Sequence, residues 1–147
     1  MRDRAPRLVE ASMKRFAMDS HMVSAIGGVF YPTGHSMIMF PSVEVASQVG
    51  HRLIETDVVN GDDVCLISPE EILDTITPTT RAADFPLPSA GTEGAAVRVY
   101  TRLALEGHAA LLVRTPDGPA AEKVMVVVRQ APYSAAERYR RLVIEDL

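Results

Sequence analysis

The chain has 147 residues, of which 47% are hydrophobic and 23% charged, a composition that fits one folded domain and excludes a disordered or fibrous protein. Aromatic residues make up 5% and tryptophan is absent, so the core is expected to be aliphatic, with methionine. The apolar runs are too short to cross a bilayer, and a net charge of −4 does not favour phosphate backbones. We therefore expect no membrane and no nucleic-acid partner.

The N-terminal region differs in charge from the rest of the chain, and the cysteine content indicates a cellular compartment. Residues 1–18 carry a net charge of +3, so the remainder carries −7. The single cysteine, Cys65, cannot form an intrachain disulfide. Together with the lack of a recognisable signal peptide, this predicts a reducing, cytoplasmic location.

The N-terminal region, residues 1–34, is predicted to hold a basic amphipathic helix and a turn. Apolar residues recur at helical spacing over 6–18, with basic residues on the opposite face. Such a helix packs on its own domain or on a second copy, or touches a membrane. Val29–Tyr31 is an apolar run closed by the turn sequence Pro32–Gly34, which predicts a short strand that forms a hairpin with the next segment of the chain.

A strand–helix–strand unit is predicted over residues 35–68. Residues 36–40 are too apolar to alternate between polar and apolar, as in a strand covered on both faces. Ser42 suits a helix N-cap, and apolar residues recur at helical spacing over 43–55. Gly50 lies on or beside that apolar face and lets the helix approach a sheet. A turn then leads to a second strand at 64–67.

Residues 69–91 are the least regular stretch. Pro69–Glu71 predicts a helical turn with an apolar side, and Pro78 is expected to end it. So long a connection within one domain is a ligand lid or a passive crossover. The crossover interpretation is favoured, because the stretch carries few groups able to do chemistry.

The second half of the chain predicts a looser copy of the first unit. A helix over 92–106 ends at Gly107, placed as a left-handed cap, before a buried strand at 109–113. Pro119 suits the start of a helix that reaches Ala131, although the apolar run within it also has strand propensity. In the tail, a capping box of Ser134 with Glu137 indicates a helix, whereas 140–144 suits a strand. We predict the strand, because it makes the two units alike.

Two such units predict an α+β fold, a ferredoxin-like βαβ sandwich over residues 35–147 with an extra helix in the crossover. We expect one sheet face and the sheet edges to be open, which favours a homodimer formed by strand pairing or sheet packing.

The pattern of elements resembles a known family. Phe40-Pro41-Ser42 before an alanine-containing helix, then Val64–Pro69, is similar to the opening of the heat- and general-stress proteins of the YflT / general stress protein 17M type. Tyr100, the bend 105–108 into the next strand, and a helix ending near Ala131 are similar to the second half of that family. The resemblance covers about residues 35–147 and implies a small cytoplasmic domain without known catalytic activity. It assigns no catalytic residues.

Candidate ligand-binding residues are His35, His108 and Tyr100. His35 and His108 each precede the first strand of a unit, so side-by-side strands would let the two imidazoles approach and form a metal site or a proton-sensitive pair. The alternative is that both rings are simply solvated. No histidine pair has metal-ligand spacing and Cys65 lacks a second cysteine, so we predict no metal, no cofactor and no catalytic residue. Cys65 is expected to be a small buried hydrophobe.

Two functions remain open. The first is a non-enzymatic, stress-associated or regulatory domain that self-associates or binds a small ligand. The second is a small enzyme of the dimeric α/β-barrel type with a cleft lined by His35, His108 or Tyr100. The first is favoured, because the polar residues that chemistry needs are scattered along the sequence.

Overall fold

Six strands form one mixed sheet in the computed structural model, which describes residues 13–24, 28–82, 91–141 and 143–147. The strands are β1 (Lys14–Arg15), β2 (His35–Phe40), β3 (Val64–Ile67), β4 (Ala109–Arg114), β5 (Ala135–Tyr139) and β6 (Ile144–Asp146). They lie in the order β1-β3-β4-β2-β5-β6. β1 pairs with β3 in parallel, and every other neighbouring pair is antiparallel.

Helices accompany this sheet along the described part of the chain. They are α1 (Val43–Glu55), α2 (Pro69–Glu71), α3 (Pro78–Ala82), α4 (Gly91–Leu105) and α5 (Gly118–Val128). A π-helix, Ile72–Ile76, links α2 and α3, and 3-10 turns span Ser20–Met22 and Gly61–Asp63. The predicted mixed α+β class is confirmed.

The first strand–helix–strand unit forms as predicted, because its signals are local. Ser42 Oγ accepts a hydrogen bond from the Val45 backbone N–H at 3.2 Å and so caps α1. Gly50 lets α1 approach the sheet: a Cβ there would lie 3.3 Å from Leu111 Cδ2 and 2.6 Å from Met13 Sδ. The predicted close contact between this helix and the sheet is confirmed.

Helices cover both faces of the sheet. α1 and α5 pack on one face, in a cluster whose buried members include Ile38, Phe40, Val49, Leu53, Leu111, Val113, Val124 and Val128. The π-helix and α4 pack on the other, in a cluster that includes Phe30, Met37, Met39, Ile72, Ile76, Val97, Tyr100, Leu112 and Tyr139. The expectation of an open sheet face is therefore wrong, because the chain between β3 and β4 folds over it.

Pro78 does not end the helical turn that begins at Pro69. The Thr77 N–H donates to the Ile72 carbonyl at 2.9 Å, the wider spacing of a π-helix, and α3 then begins at Pro78 itself. Proline is tolerated there because the first turn of a helix does not use its backbone N–H groups. Ile72 and Ile76 are fully buried, so this part of the connection belongs to the core. The proline-rich remainder, 83–90, lies outside the described residues.

The N-terminal helix prediction is wrong where the chain can be described, and 6–12 lie outside the described residues. Lys14 and Arg15 form β1, paired with Cys65 and Leu66. The strand ladder and the contact of Met13 with the α1 cluster prevail over a helical apolar period. The predicted strand at Val29–Tyr31 is reduced to a single bridge between Val23 and Phe30.

The tail does form a strand, but not at the predicted residues. β5 begins at Ala135, so the Ser134 capping box is not used, and 140–141 lie in the turn into β6. The Arg140 N–H closes that turn by donating to the Val143 carbonyl at 2.8 Å. The pairing of Tyr139 with His35 buries the tyrosine ring, which a strand starting at 140 would leave outside the sheet.

α4 ends and α5 begins close to the residues that the sequence predicts. Gly107 has φ +93°, and the His108 N–H reaches the Leu103 carbonyl at 3.0 Å, so α4 ends in a Schellman motif. Asp117 caps α5 through its carboxylate, which accepts from the Ala120 N–H at 2.8 Å. The predicted helix after Pro119 is confirmed, although it ends at Val128 rather than near Ala131.

Candidate functional site

The three predicted site residues lie in three separate places. β2 and β4 are neighbours but antiparallel, with His35 opposite Arg114 and Phe40 opposite Ala109. His35 and His108 therefore occupy opposite ends of the sheet, about 20 Å apart along the strand direction. The predicted approach of the two imidazoles does not occur, because it would need parallel strands.

His35 lines a small cleft at the end of the sheet where β2 and β3 begin. The cleft has a volume of about 110 Å³, and charged side chains of both signs surround it: Lys14, Arg15, Asp19, Asp62 and Asp63. His35 Nδ1 lies 3.1 Å from the Thr33 carbonyl oxygen, to which it donates. This hydrogen bond fixes the tautomer and leaves Nε2 as the acceptor nitrogen.

Cys65 also lines the His35 cleft, and its environment keeps it a thiol. The residue is 6% exposed. Burial raises the pKa of the thiol to about 11, although the positive charge of Lys14 acts in the opposite direction. Because the thiolate is the reactive form, Cys65 is a weak nucleophile at neutral pH. The predicted small buried hydrophobe is confirmed.

Tyr100 is a core residue that joins α4 to β5. Its ring is fully buried, and its hydroxyl donates to Glu137 Oε1 at 2.6 Å and lies 2.8 Å from the Tyr139 hydroxyl. Burial, the neighbouring tyrosine and the Glu137 charge hold the pKa of Tyr100 well above its usual value. The ring of Tyr139 in turn meets the edges of Phe30 and Tyr31, with centroids 6.1 and 5.0 Å away. Both hydroxyls are thus neutral and engaged within the protein.

His108 contacts a residue that the linear pattern did not indicate. Its Nδ1 lies 2.6 Å from Ser134 Oγ, and its Nε2 lies 3.8 Å from Glu106 Oε1. The imidazole is 18% exposed. The sequence identified Ser134 only as a helix cap, since no spacing signal connects two residues that are 26 positions apart.

A wider groove runs between α1 and α5, the two helices that pack together on one face of the sheet. Its volume is about 490 Å³, and Val45, Val49 and Val127 form part of its apolar lining. His51 also lines it, with a buried Nε2 that has no hydrogen-bond partner among the described residues. Arg52 Nη1 donates to Gln130 Oε1 across the groove at 3.3 Å.

Over the described ranges, no group of three or more His, Cys, Asp or Glu residues is placed to hold a metal ion. Within the same ranges, no helix has both the length and the apolar character needed to cross a membrane. Comparison with models of protein families, with curated proteins and with solved structures finds no match.

Proposed function

We propose that the chain is a regulatory or stress-associated cytoplasmic domain that acts by binding a small ligand in the His35 cleft. The observation that carries this proposal is the lining of the cleft, where an imidazole whose Nε2 is the acceptor nitrogen lies among basic and acidic side chains. Binding sites of this kind combine a concave shape with a few polar groups that fix orientation.

The size and charge of the cleft indicate the class of ligand. A dry cavity of ~150 Å³ accepts a molecule as large as benzene, so about 110 Å³ suits a ligand of only a few heavy atoms. Lys14 and Arg15 suit a carboxylate, while Asp62 and Asp63 suit an ammonium group. A small zwitterion such as an amino acid matches both requirements.

The enzymatic alternative has less support from the geometry. It needs His35, His108 or Tyr100 around one cleft, whereas the two histidines lie at opposite ends of β2 and β4 and the Tyr100 hydroxyl is engaged in the core. Ligand binding needs only the groups that already surround His35.

The ferredoxin-like arrangement and the resemblance to general stress proteins belong to the same proposal. The four central strands lie in the order β3-β4-β2-β5 and are antiparallel, with the crossover helices α1 and α5 on one face. This order supports two interleaved βαβ units, to which the segment between β3 and β4 adds a cover. The proposed similarity to the stress-protein family rests on this pattern of elements.

Self-association is proposed through a sheet edge rather than a sheet face, since both faces are covered. β6 is an edge strand of three residues, and Val143 just before it is 51% exposed. An unpaired strand edge with an apolar neighbour favours pairing with a second copy. Native mass spectrometry over a dilution series tests this: a species of constant monomer mass at all concentrations refutes the homodimer.

Ligand binding is tested by titrating ¹⁵N-labelled protein with glycine, acetate and methylammonium. We expect glycine to shift the amide resonances of His35 and Cys65 saturably, and the two singly charged probes to do so more weakly. The variant His35→Ala should lose the response, while His108→Ala, altered at the other end of the sheet, should keep it. Equal, non-saturating shifts with all three probes, or an unchanged response in His35→Ala, would contradict the proposal.

A further inference from the structure

We propose that Ser134 is a base-activated nucleophile that accepts an acyl group from activated acyl donors. The observation is the order of three side chains at one end of the sheet: a hydroxyl, an imidazole and a carboxylate. Ser134 Oγ is 2.6 Å from His108 Nδ1, and His108 Nε2 is 3.8 Å from Glu106 Oε1. A nucleophile within hydrogen-bond reach of a base is the central feature of an activated serine, and here the carboxylate adds a negative charge at ion-pair distance from the ring.

The hydrogen-bond roles are mutually consistent. If Nδ1 accepts the Ser134 hydroxyl proton, the ring proton resides on Nε2, on the side of Glu106. The Glu106 carboxylate then favours this tautomer and stabilises the imidazolium that forms when the proton is transferred. The two ring nitrogens have exchanged the roles they hold in serine hydrolases, which leaves the proton transfer itself unchanged.

Both reacting residues are held by backbone hydrogen bonds to regular elements. The His108 N–H donates to Leu103 in the last turn of α4, and the Ser134 N–H donates to Met39 in β2 at 2.7 Å. The short distance between Oγ and Nδ1 therefore depends on fixed parts of the fold. Such preorganisation removes the cost of bringing nucleophile and base together.

Access and surroundings suit a small apolar acyl donor. Ser134 is exposed, and the two residues before it, Pro132 and Tyr133, are exposed as well. Leu105, which precedes Glu106, is 71% exposed. Exposed apolar side chains thus lie next to Ser134 and Glu106 along the chain, so an aryl ester is preferred to a charged donor.

The step is a simple acyl transfer. Ser134 Oγ attacks the carbonyl carbon of the donor and gives its proton to His108 Nδ1. The new Oγ–C bond forms as the bond between the carbonyl carbon and the leaving oxygen breaks. The leaving group departs as an aryloxide, and the protein carries one acyl ester on Ser134.

The chain contains a matched control for this chemistry. Ser20 is exposed, it precedes His21, and His21 Nδ1 lies 3.6 Å from Asp19 Oδ1. A serine, a histidine and a carboxylate are therefore adjacent there too, but within the described residues no hydrogen bond joins the Ser20 hydroxyl to the ring. A difference in reactivity between Ser134 and Ser20 therefore isolates the effect of the hydrogen bond between Ser134 and His108.

The experiment uses p-nitrophenyl acetate with the full chain, followed by release of p-nitrophenolate and peptide mass spectrometry. We expect one acetyl group on Ser134, little on Ser20, and a rate that falls about a hundredfold or more in His108→Gln. Glu106→Gln should lower the rate about two- to fivefold, as for an exposed ion pair. Ser20→Ala should not change it.

Two results would overturn the inference. One is acetylation confined to lysines and the N-terminus, with Ser134 unmodified. The other is acetylation of Ser134 at the same rate in wild type and His108→Gln, with circular dichroism showing both proteins folded. Because Ser134 and the His35 cleft lie at opposite ends of the sheet, neither result bears on ligand binding at His35.

Discussion

Replacement of Tyr100 with phenylalanine tests whether the buried hydroxyl pair holds α4 onto the sheet. The change removes one oxygen and keeps the ring, so the apolar packing against the sheet is retained. It removes a donor to Glu137 Oε1 at 2.6 Å and a partner of the Tyr139 hydroxyl at 2.8 Å. The loss is thus confined to two hydrogen bonds at a fully buried position.

The magnitude depends on the nature of each bond. A hydrogen bond to a charged group contributes about 1.5–3 kcal/mol, and one between neutral groups about 0.5–1.5 kcal/mol. We therefore expect Tyr100→Phe to lower the free energy of unfolding by about 2–4 kcal/mol, a large fraction of the stability of an ordinary domain. Tyr139→Phe, which removes only the neutral bond, should cost about 0.5–1.5 kcal/mol.

Urea unfolding at pH 7, followed by far-ultraviolet circular dichroism, measures these losses in a chain without tryptophan. The double variant should be less destabilised than the sum of the single ones, because the two hydroxyls share one bond. Tyr133→Phe, at a ring that is 38% exposed, is the matched control and should change stability by less than about 0.5 kcal/mol. A Tyr100→Phe effect no larger than that control, or strictly additive losses, would refute the assigned network.

Three further predictions concern stability. Burial raises the pKa of the Cys65 thiol from 9.0 to about 11. The stability that the protonated thiol contributes is therefore complete below pH 9 and is lost as the pH rises towards 11, so the free energy of unfolding should fall by about 1.4 kcal/mol between pH 8 and 10. Cys65→Ala should flatten that slope in urea unfolding, and an unchanged slope would contradict the assignment. Gly94→Ala in α4, where only the tip of Arg98 is near, should stabilise by about 0.5–1 kcal/mol. Gly50→Ala in α1 should lack this gain, because its Cβ would lie 3.3 Å from Cδ2 of the buried Leu111 and would displace the end of the Met13 side chain; thermal melts separate the two outcomes. Asp117→Ala should cost about 1 kcal/mol by removing the α5 cap, and Asp117→Asn, which keeps an acceptor oxygen, should cost clearly less.

The parts of the fold that could be predicted are those whose signals are local. The Ser42 cap, Gly107 and Pro119 mark helix ends through signals within their own chain segments. The first strand–helix–strand unit is specified by such signals and by apolar periodicity. Its limits can therefore be read in the sequence without knowledge of what it packs against.

The parts that were missed depend on distant partners. β1 is a strand because it pairs with β3, about fifty residues later, and not because of its own propensity. The contact of Ser134 with His108 arises from the separate anchoring of each backbone, and the separation of His35 from His108 is set by the direction of β4. In each case the pairing of the strands, through its direction or its register, decides the outcome, and no single segment encodes that pairing.

The coverage of the sheet explains where function is expected in this molecule. α1 and α5 occupy one face, and the segment between β3 and β4 occupies the other, so the apolar surface of the sheet is used for folding. Apart from the hydroxyls and carboxylate of the Tyr100 network and the groove between α1 and α5, the polar side chains described above lie at the ends of the strands, where turns and caps present them to solvent. The His35 cleft forms at one end and the Ser134–His108 pair at the other, and the antiparallel pairing of β2 with β4 keeps the two apart.

Since the two sites share no side chain among the described residues, ligand binding at one end and acylation at the other should be energetically independent. An acetylated protein should therefore bind glycine with the affinity of the unmodified one, and a changed affinity would show that the sheet transmits strain between its ends.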